Sequence, residues 1–328
     1  MATVAVLGAG SWGTALAIQL ARCGHGVLLW GRGADVMARI AAERRNLRYL
    51  PDVRLSNAIE PIVSLERACT ADELLVAVPT YAFRETLAGL APGVQRLAWA
   101  TKGLEEGSGR LLHEVAAELL GAKAQLAALS GPTFAREVAE GLPTAITVAA
   151  NDSAYAERIA TMLHGDAFRV YTSADLCGVG LGGAVKNVIA IAAGMADGLG
   201  LGANSRAALI TRGLAEMMRL GRKLGARSKT LMGLAGLGDL VLTCTDDQSR
   251  NRRFGLALAR GVSAEDAAKQ IGQVVEGART AAAVRLLSHR HGVELPICDQ
   301  VHRVLQDGVA PRRAVAALME RARRSEED

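Results

Sequence analysis

With 328 residues, half of them apolar and 3% aromatic, the chain exceeds the size at which one hydrophobic core stops growing, so two domains built from Ala, Val, Leu and Ile are expected. Its formal charge of +5 is modest, and its arginines alternate with acids without an aromatic stacking platform, so nothing requires a nucleic-acid surface. Cys23, Cys69, Cys177, Cys244 and Cys298 form no C-x-x-C pair and the six histidines lack metal-ligand spacing, so disulfides, metal and a catalytic histidine are not expected, and a cytoplasmic location is.

Met1–Ala21 is apolar but lacks a basic flank and is broken by glycines, so it reads as strand plus helix and not as a leader peptide. The strand Thr3–Leu7 runs directly into Gly8-Ala9-Gly10-Ser11-Trp12-Gly13, which opens a helix through Ala15, Leu16, Ile18 and Leu20. This is the context of a dinucleotide-binding loop. Gly8 makes the turn, Gly10 admits the pyrophosphate, Gly13 packs helix on strand, and free N–H groups at the helix start meet phosphate.

After the second strand, Val27–Trp30, the expected acid is missing and Arg32 stands in its place. Its guanidinium can pair with a 2′-phosphate, so NADP(H) should be used well, whereas an Arg32 that stacks on adenine or lies solvated leaves NADP(H) and NAD(H) both acceptable. Glu73–Val78, Arg96–Ala100, Leu126–Leu129 and Ala145–Ala149 continue the buried strands, and Phe168–Thr172 fits a last one. Helical stretches between most of them predict a parallel sheet covered on both faces, with ligand at the strands' carboxyl ends.

From about Ala174 strand runs disappear, and Leu209–Leu224, Phe254–Arg260, Ala278–His291 and Cys298–Leu305 follow helical spacing. Val188–Gly202 is apolar but interrupted by Asp197 and shorter than the roughly 20 residues that span a bilayer, so a buried helix and no membrane role are expected. The fold class is therefore α/β: a Rossmann-type doubly wound sheet over 1–175 for NAD(P), then an all-α domain over 176–328, without a linker. The charged tail 321–328 is expected to fray.

Several blocks occur together: Ser130–Ala135 (SGPTFA), Gly182–Asn187 (GGAVKN), Gly236–Leu240 (GLGDL) and Ser249–Phe254 (SRNRRF), with Lys102-Gly103 and Gln273–Gly277 (QVVEG) in order. Over essentially its whole length the chain resembles the bacterial NAD(P)-dependent glycerol-3-phosphate dehydrogenases. The resemblance implies reversible hydride transfer between NAD(P)H and dihydroxyacetone phosphate, giving sn-glycerol 3-phosphate for phospholipid synthesis.

It also implies residue roles. Lys186 would be the proton donor and acceptor, which suits a ketone reduction: an ammonium offsets the growing alkoxide and then protonates it, if burial and a nearby charge lower its pKa. Lys102 would be the second active-site lysine, touching cofactor and substrate and lowering the Lys186 pKa by repulsion. Asn187, Asp239 and Thr243 would hold the lysines and substrate oxygens.

Gly131, Thr133, Ser249, Arg250 and Asn251 would bind substrate, with Arg250 gripping its phosphate at a helix start and approaching the cofactor. Gly8, Gly10, Ser11, Trp12, Gly13, Arg32, Ala135, Val274 and Glu276 would bind cofactor. Read alone, Arg250, Arg252 and Arg253 would be a solvated basic helix start or a nucleic-acid patch. Rival readings are a β-hydroxyacid-type dehydrogenase, against which the Ser249–Phe254 block argues, and a noncatalytic NADPH sensor, which has no use for Lys102, Lys186 and Asp239 together. A homodimer is compatible with the extensive helical half, without an identifiable interface.

Overall fold

Four consecutive buried residues, Val4 to Leu7, make the first strand (β1, Thr3–Leu7), as expected of a strand covered by helices on both faces. A computed structural model describes residues 1–90 and 92–321; most of the 321–328 tail, whose fraying was expected, lies outside them. In chain order follow β2 (Gly26–Trp30), β3 (Arg45–Asn46), β4 (Leu50–Arg54), β5 (Ile59–Ile62), β6 (Glu73–Val76), β7 (Arg96–Trp99), β8 (Gln125–Ser130), β9 (Thr144–Ala150) and β10 (Phe168–Ser173).

Eight strands form one sheet in the order β10-β9-β8-β7-β6-β1-β2-β5, and β3 and β4 form a separate ribbon. The chain runs outward from β1 through β2 to β5, then crosses back to β6 on the other side of β1. That reversal opens a crevice between the carboxyl ends of β1 and β6, the switch point where ligands of such sheets bind.

The all-parallel expectation is corrected at one place: β8 and β9 pair antiparallel, so β9 and β10 run against the other strands. A buried apolar run carries no mark of direction, and the helix Ala135–Glu140 between β8 and β9 returns the chain without a parallel crossover. The second half is helical, as expected.

Its centre is Leu176–Gly198, 23 residues long, started by Asp175, whose carboxylate accepts from Gly178 N–H at 2.7 Å. This helix begins 12 residues earlier than the Val188 start read from the sequence, and it is long and apolar enough to cross a membrane. Of its most apolar window 83% is buried inside the protein. Glycines let a second helix, Arg250–Ala259, lie against it: a Cβ on Gly194 would fall 2.0 Å from the Arg252 carbonyl, and one on Gly255 2.1 Å from that of Ile191. This contact brings the 249–254 block beside Lys186 and Asn187.

Candidate active site

The loops at the carboxyl edge of the parallel strands β1, β2, β7 and β8 carry the candidate residues Gly8–Gly13, Arg32, Lys102 and Gly131, and the loop after β6 leads into Thr80. Gly8 adopts φ 125°, and a Cβ there would meet the Ala77 carbonyl at 2.7 Å, so the turn presses against the end of β6. At Gly13 a Cβ would fall 1.9 Å from the Gly8 carbonyl, whereas nothing lies within 4 Å of one at Gly10.

Gly10 caps the helix Ser11–Arg22, whose first-turn N–H groups face this open space. The Trp12 Nε1 is buried without a hydrogen-bond partner among the described residues. A loop with space over Gly10, a helix N-terminus and an uncommitted indole donor fits a dinucleotide pyrophosphate. Arg32 is exposed and lies 3.4 Å from an equally exposed Glu85, a contact worth little in water.

Across the crevice the helical half supplies a buried charge cluster. Asp239 is 1% exposed. Its Oδ1 accepts from Lys186 Nζ at 2.8 Å and its Oδ2 from Lys102 Nζ at 2.6 Å. Thr243 Oγ1 donates to the Asp239 carbonyl at 2.6 Å and accepts from Lys186 Nζ at 2.8 Å. Lys102 Nζ also donates to the Gly131 carbonyl at 3.0 Å, which accepts from Thr133 Oγ1 at 3.1 Å.

Asp239 reaches both lysines because it begins the helix Asp239–Thr245 directly after a π-helical turn, Leu234–Gly238. Gly238 caps this helix and Asp239 is its first residue. Gly182 and Gly183 on the central helix leave room for this turn and for Ser130 and Lys102: a Cβ on Gly182 would fall 2.5 Å from the Ala235 carbonyl.

Burial lowers the Lys186 pKa to about 8; Asp239 opposes the shift and Lys102 adds to it. Repulsion from Lys102 therefore acts in the anticipated direction, but burial is the larger cause. The Asp239 carboxyl is itself held below its ordinary value, because the two ammonium groups outweigh a burial effect that would raise it.

Around this cluster lies a ring of amides. Asn187 Nδ2 donates to the Gly183 carbonyl at 3.2 Å, Asn251 Nδ2 donates to Asn187 Oδ1 at 2.8 Å, and Gly277 N–H donates to Asn251 Oδ1 at 2.9 Å. Ser249 caps the helix Arg250–Ala259 through its Oγ, which accepts from Arg252 N–H at 3.2 Å. Arg252 is committed to Asp197 and Asp247. Among the described residues Arg250 has only a 3.4 Å contact from Nη1 to Gln273 Oε1, which leaves its guanidinium able to take an anion.

The sequence matches the family model described as NAD-dependent glycerol-3-phosphate dehydrogenase N-terminus over residues 3–156, and the corresponding C-terminus model over residues 175–316. The chain belongs to the NAD-dependent glycerol-3-phosphate dehydrogenase family. Similar relatives are proteins named glycerol-3-phosphate dehydrogenase (NAD(P)+) from Thioalkalivibrio sulfidiphilus, 58% identical, and Pseudoalteromonas translucida, 56% identical, each over 98% of both chains. The crystal structure of glycerol-3-phosphate dehydrogenase from Coxiella burnetii superposes with a TM-score of 0.94 at 48% identity, covering 98% of this chain and 99% of that one.

In this glycerol-3-phosphate dehydrogenase family member, Lys102, Gly131, Thr133, Lys186, Asp239 and Thr243 meet in one hydrogen-bonded cluster, and Asn187 and Asn251 adjoin it. Ala135 opens the helix Ala135–Glu140. Val274 lines a cleft with Phe254, Ala268 and Leu305, apart from that cluster. Glu276 opens the helix Glu276–Arg290 and accepts from Thr80 Oγ1 at 2.9 Å.

Two polar side chains were missed. Ser130, whose Oγ lies 3.5 Å from Asp239 Oδ2, stood inside a recognised block without a role. Thr80, following Val78-Pro79 after β6, carried no signal, since its partner is 196 positions away. Among the described residues no group of three or more His, Cys, Asp and Glu side chains is placed to hold a metal ion.

Proposed function

We propose that this chain reduces dihydroxyacetone phosphate to sn-glycerol 3-phosphate, reversibly, with NADPH or NADH, and that Lys186 moves the proton. The observation that carries the role of Lys186 is its bonding. Of three N–H donors on an ammonium, one goes to Asp239 and one to Thr243, so one remains for a substrate oxygen.

The cofactor, when bound with its pyrophosphate on the Gly8–Gly13 loop, would supply the hydride from its nicotinamide. Lys186 offsets the alkoxide charge that develops on the former carbonyl oxygen and gives it a proton, leaving a neutral amine that solvent recharges. In the oxidative direction the same amine takes the alcohol proton. Asp239 holds Lys186 and Lys102 side by side, and Thr243, which accepts from Lys186 and donates to a backbone carbonyl, fixes the ammonium without competing for its proton.

Arg250 takes the substrate phosphate, with Ser249 and Asn251 at the same helix start, and Gly131 and Thr133 line the opposite wall. Gly8, Gly10, Ser11, Trp12 and Gly13 hold the pyrophosphate, and Arg32 meets a 2′-phosphate where one is present. Ala135, Val274 and Glu276 complete the cofactor contacts. Residues 1–175 serve mainly the cofactor and 176 onward mainly the substrate, with Gly131 and Thr133 reaching the substrate and Val274 and Glu276 the cofactor across that boundary, in a cytoplasmic enzyme, as a homodimer, that supplies glycerophospholipid synthesis.

A substrate panel followed by NADPH absorbance tests this reading. Turnover of dihydroxyacetone phosphate, with little for dihydroxyacetone or 3-oxoacids, is expected. Activity confined to 3-oxoacids would move the chain to β-hydroxyacid chemistry, and tight NADPH binding without turnover would make it a sensor.

A further inference from the structure

Thr80 starts the helix Thr80–Ala88 on the nucleotide-binding side, and Glu276 starts the helix Glu276–Arg290 on the other. Thr80 Oγ1 donates to Glu276 Oε2 at 2.9 Å and its N–H donates to Oε1 at 3.4 Å, so the carboxylate sits on a helix N-terminus that favours negative charge. Burial raises the Glu276 pKa, while the two Thr80 bonds, Arg250 and Arg279 oppose that rise.

The same hydroxyl lies 3.4 Å from the carbonyl of Lys102, and Gly103 is pressed against it: a Cβ there would fall 2.3 Å from Thr80 Oγ1. Beside this contact the Arg279 guanidinium lies 4.7 Å from the centre of the Tyr81 ring and 3.0 Å from Glu106. Gly277, next to Glu276, is tied through Asn251 to Asn187, the neighbour of Lys186. The two lysines are thus linked twice, directly through Asp239 and around the crevice through Thr80 and Glu276.

We propose that Thr80 is a positioning residue: it holds the Glu276 carboxylate across the domain interface and thereby fixes the loop carrying Lys102 against the helix carrying Lys186. The inference rests on the reading of the site as a dihydroxyacetone phosphate reductase. A Val side chain removes the hydroxyl at nearly constant shape and leaves a buried carboxylate short of a bond; Ser keeps the bond and drops only the methyl.

The test compares wild type, Thr80→Val, Thr80→Ser, Glu276→Gln and the Val/Gln double variant in NADPH-dependent reduction of dihydroxyacetone phosphate. NADPH Kd is measured by fluorescence titration, and Tm by thermal unfolding. Thr80→Val is expected to lower kcat by about 10- to 100-fold with KM and NADPH Kd within about threefold, as for one lost hydrogen bond to a charged group. Thr80→Ser is expected to restore kcat, and the double variant to be no slower than the slower single one.

Unchanged kcat in Thr80→Val, equal loss in Thr80→Ser, additive losses in the double variant, or an effect confined to Tm or NADPH Kd would each overturn the proposal. Should Thr80→Val fail to fold, the Ser variant and Glu276→Gln decide: the proposal requires near-wild-type kcat in the first and, at saturating NADPH, a kcat loss in the second. Inactivity of the wild type would instead defeat the functional reading, and this inference with it.

Discussion

The ammonium of Lys186 lies 2.8 Å from Oδ1 of Asp239, and both residues are buried. The same carboxylate holds Lys102 at 2.6 Å, so one negative charge faces two positive ones in a region that water hardly reaches. Such a cluster costs desolvation energy, and its value lies in a lysine whose proton is exchangeable near neutral pH.

Ketone reduction needs protonated Lys186, so kcat for dihydroxyacetone phosphate should fall as pH rises through the Lys186 pKa of about 8. Oxidation of sn-glycerol 3-phosphate needs the amine and should rise over the same interval. Asp239→Asn removes the charge that raises this pKa, so both limbs should move to lower pH, while stability drops by about 3–5 kcal/mol from the uncompensated cations. Profiles of kcat against pH in both directions check this; a limb that stays in place in Asp239→Asn contradicts it.

Gly10 and Gly13 should respond in opposite ways. A side chain at Gly13 strikes the Gly8 backbone, so Gly13→Ala should destabilise the protein by more than about 2 kcal/mol. Gly10→Leu enters open space and should leave Tm nearly unchanged while abolishing NADPH binding in a fluorescence titration. NADPH binding that survives Gly10→Leu would place the pyrophosphate elsewhere.

Among the described residues Arg32 has only its exposed 3.4 Å pair with Glu85, so Arg32→Ser should cost little stability. Loss of a charge-assisted pair with the 2′-phosphate should raise the KM for NADPH by about 10-fold or more and that for NADH by less than about threefold. Equal effects on the two cofactors would assign Arg32 to adenine stacking.

Far from the crevice, Glu216 is buried and accepts the N–H groups of Ile297 and Cys298 at 2.6 and 3.2 Å, anchoring the start of the helix Pro296–Gln306. Burial raises its pKa from 4.5 to about 7. Between these values the folded protein holds a proton that the unfolded chain has released, so stability should fall as pH rises from 4.5 to 7. Glu216→Gln should remove roughly 2–3 kcal/mol of that decline in denaturant unfolding followed across pH; an identical pH dependence would show that Glu216 is not its source.

Much of this was legible in the sequence. The seven strands read from the sequence all exist, most of them because strands buried on both faces must be largely apolar, whereas the edge strand β10 is only partly so. Three others escaped: β3 has two residues, β4 contains Pro51, and β5 contains Pro61, which a sheet tolerates because β5 lies at its edge. The reversed direction of β9 escaped too, since strand direction is set by what the chain does between strands.

Lys186 lay just before the apolar run read from Val188, and the family resemblance alone singled it out and gave it a role. The Thr80–Glu276 contact could not be read, because both residues are ordinary helix starts until the two halves are docked. Likewise Arg252 and Arg250 look alike in sequence, and the positions of Asp197 and Asp247 consume the first and leave the second.

The most direct test of the central claim is kcat for NADPH-dependent reduction of dihydroxyacetone phosphate by Lys186→Met, with NADPH Kd and Tm measured on the same preparation. The account predicts a loss of about 10²-fold or more with the cofactor still bound, in keeping with removal of a general acid. A folded Lys186→Met that turns over at the wild-type rate would contradict it.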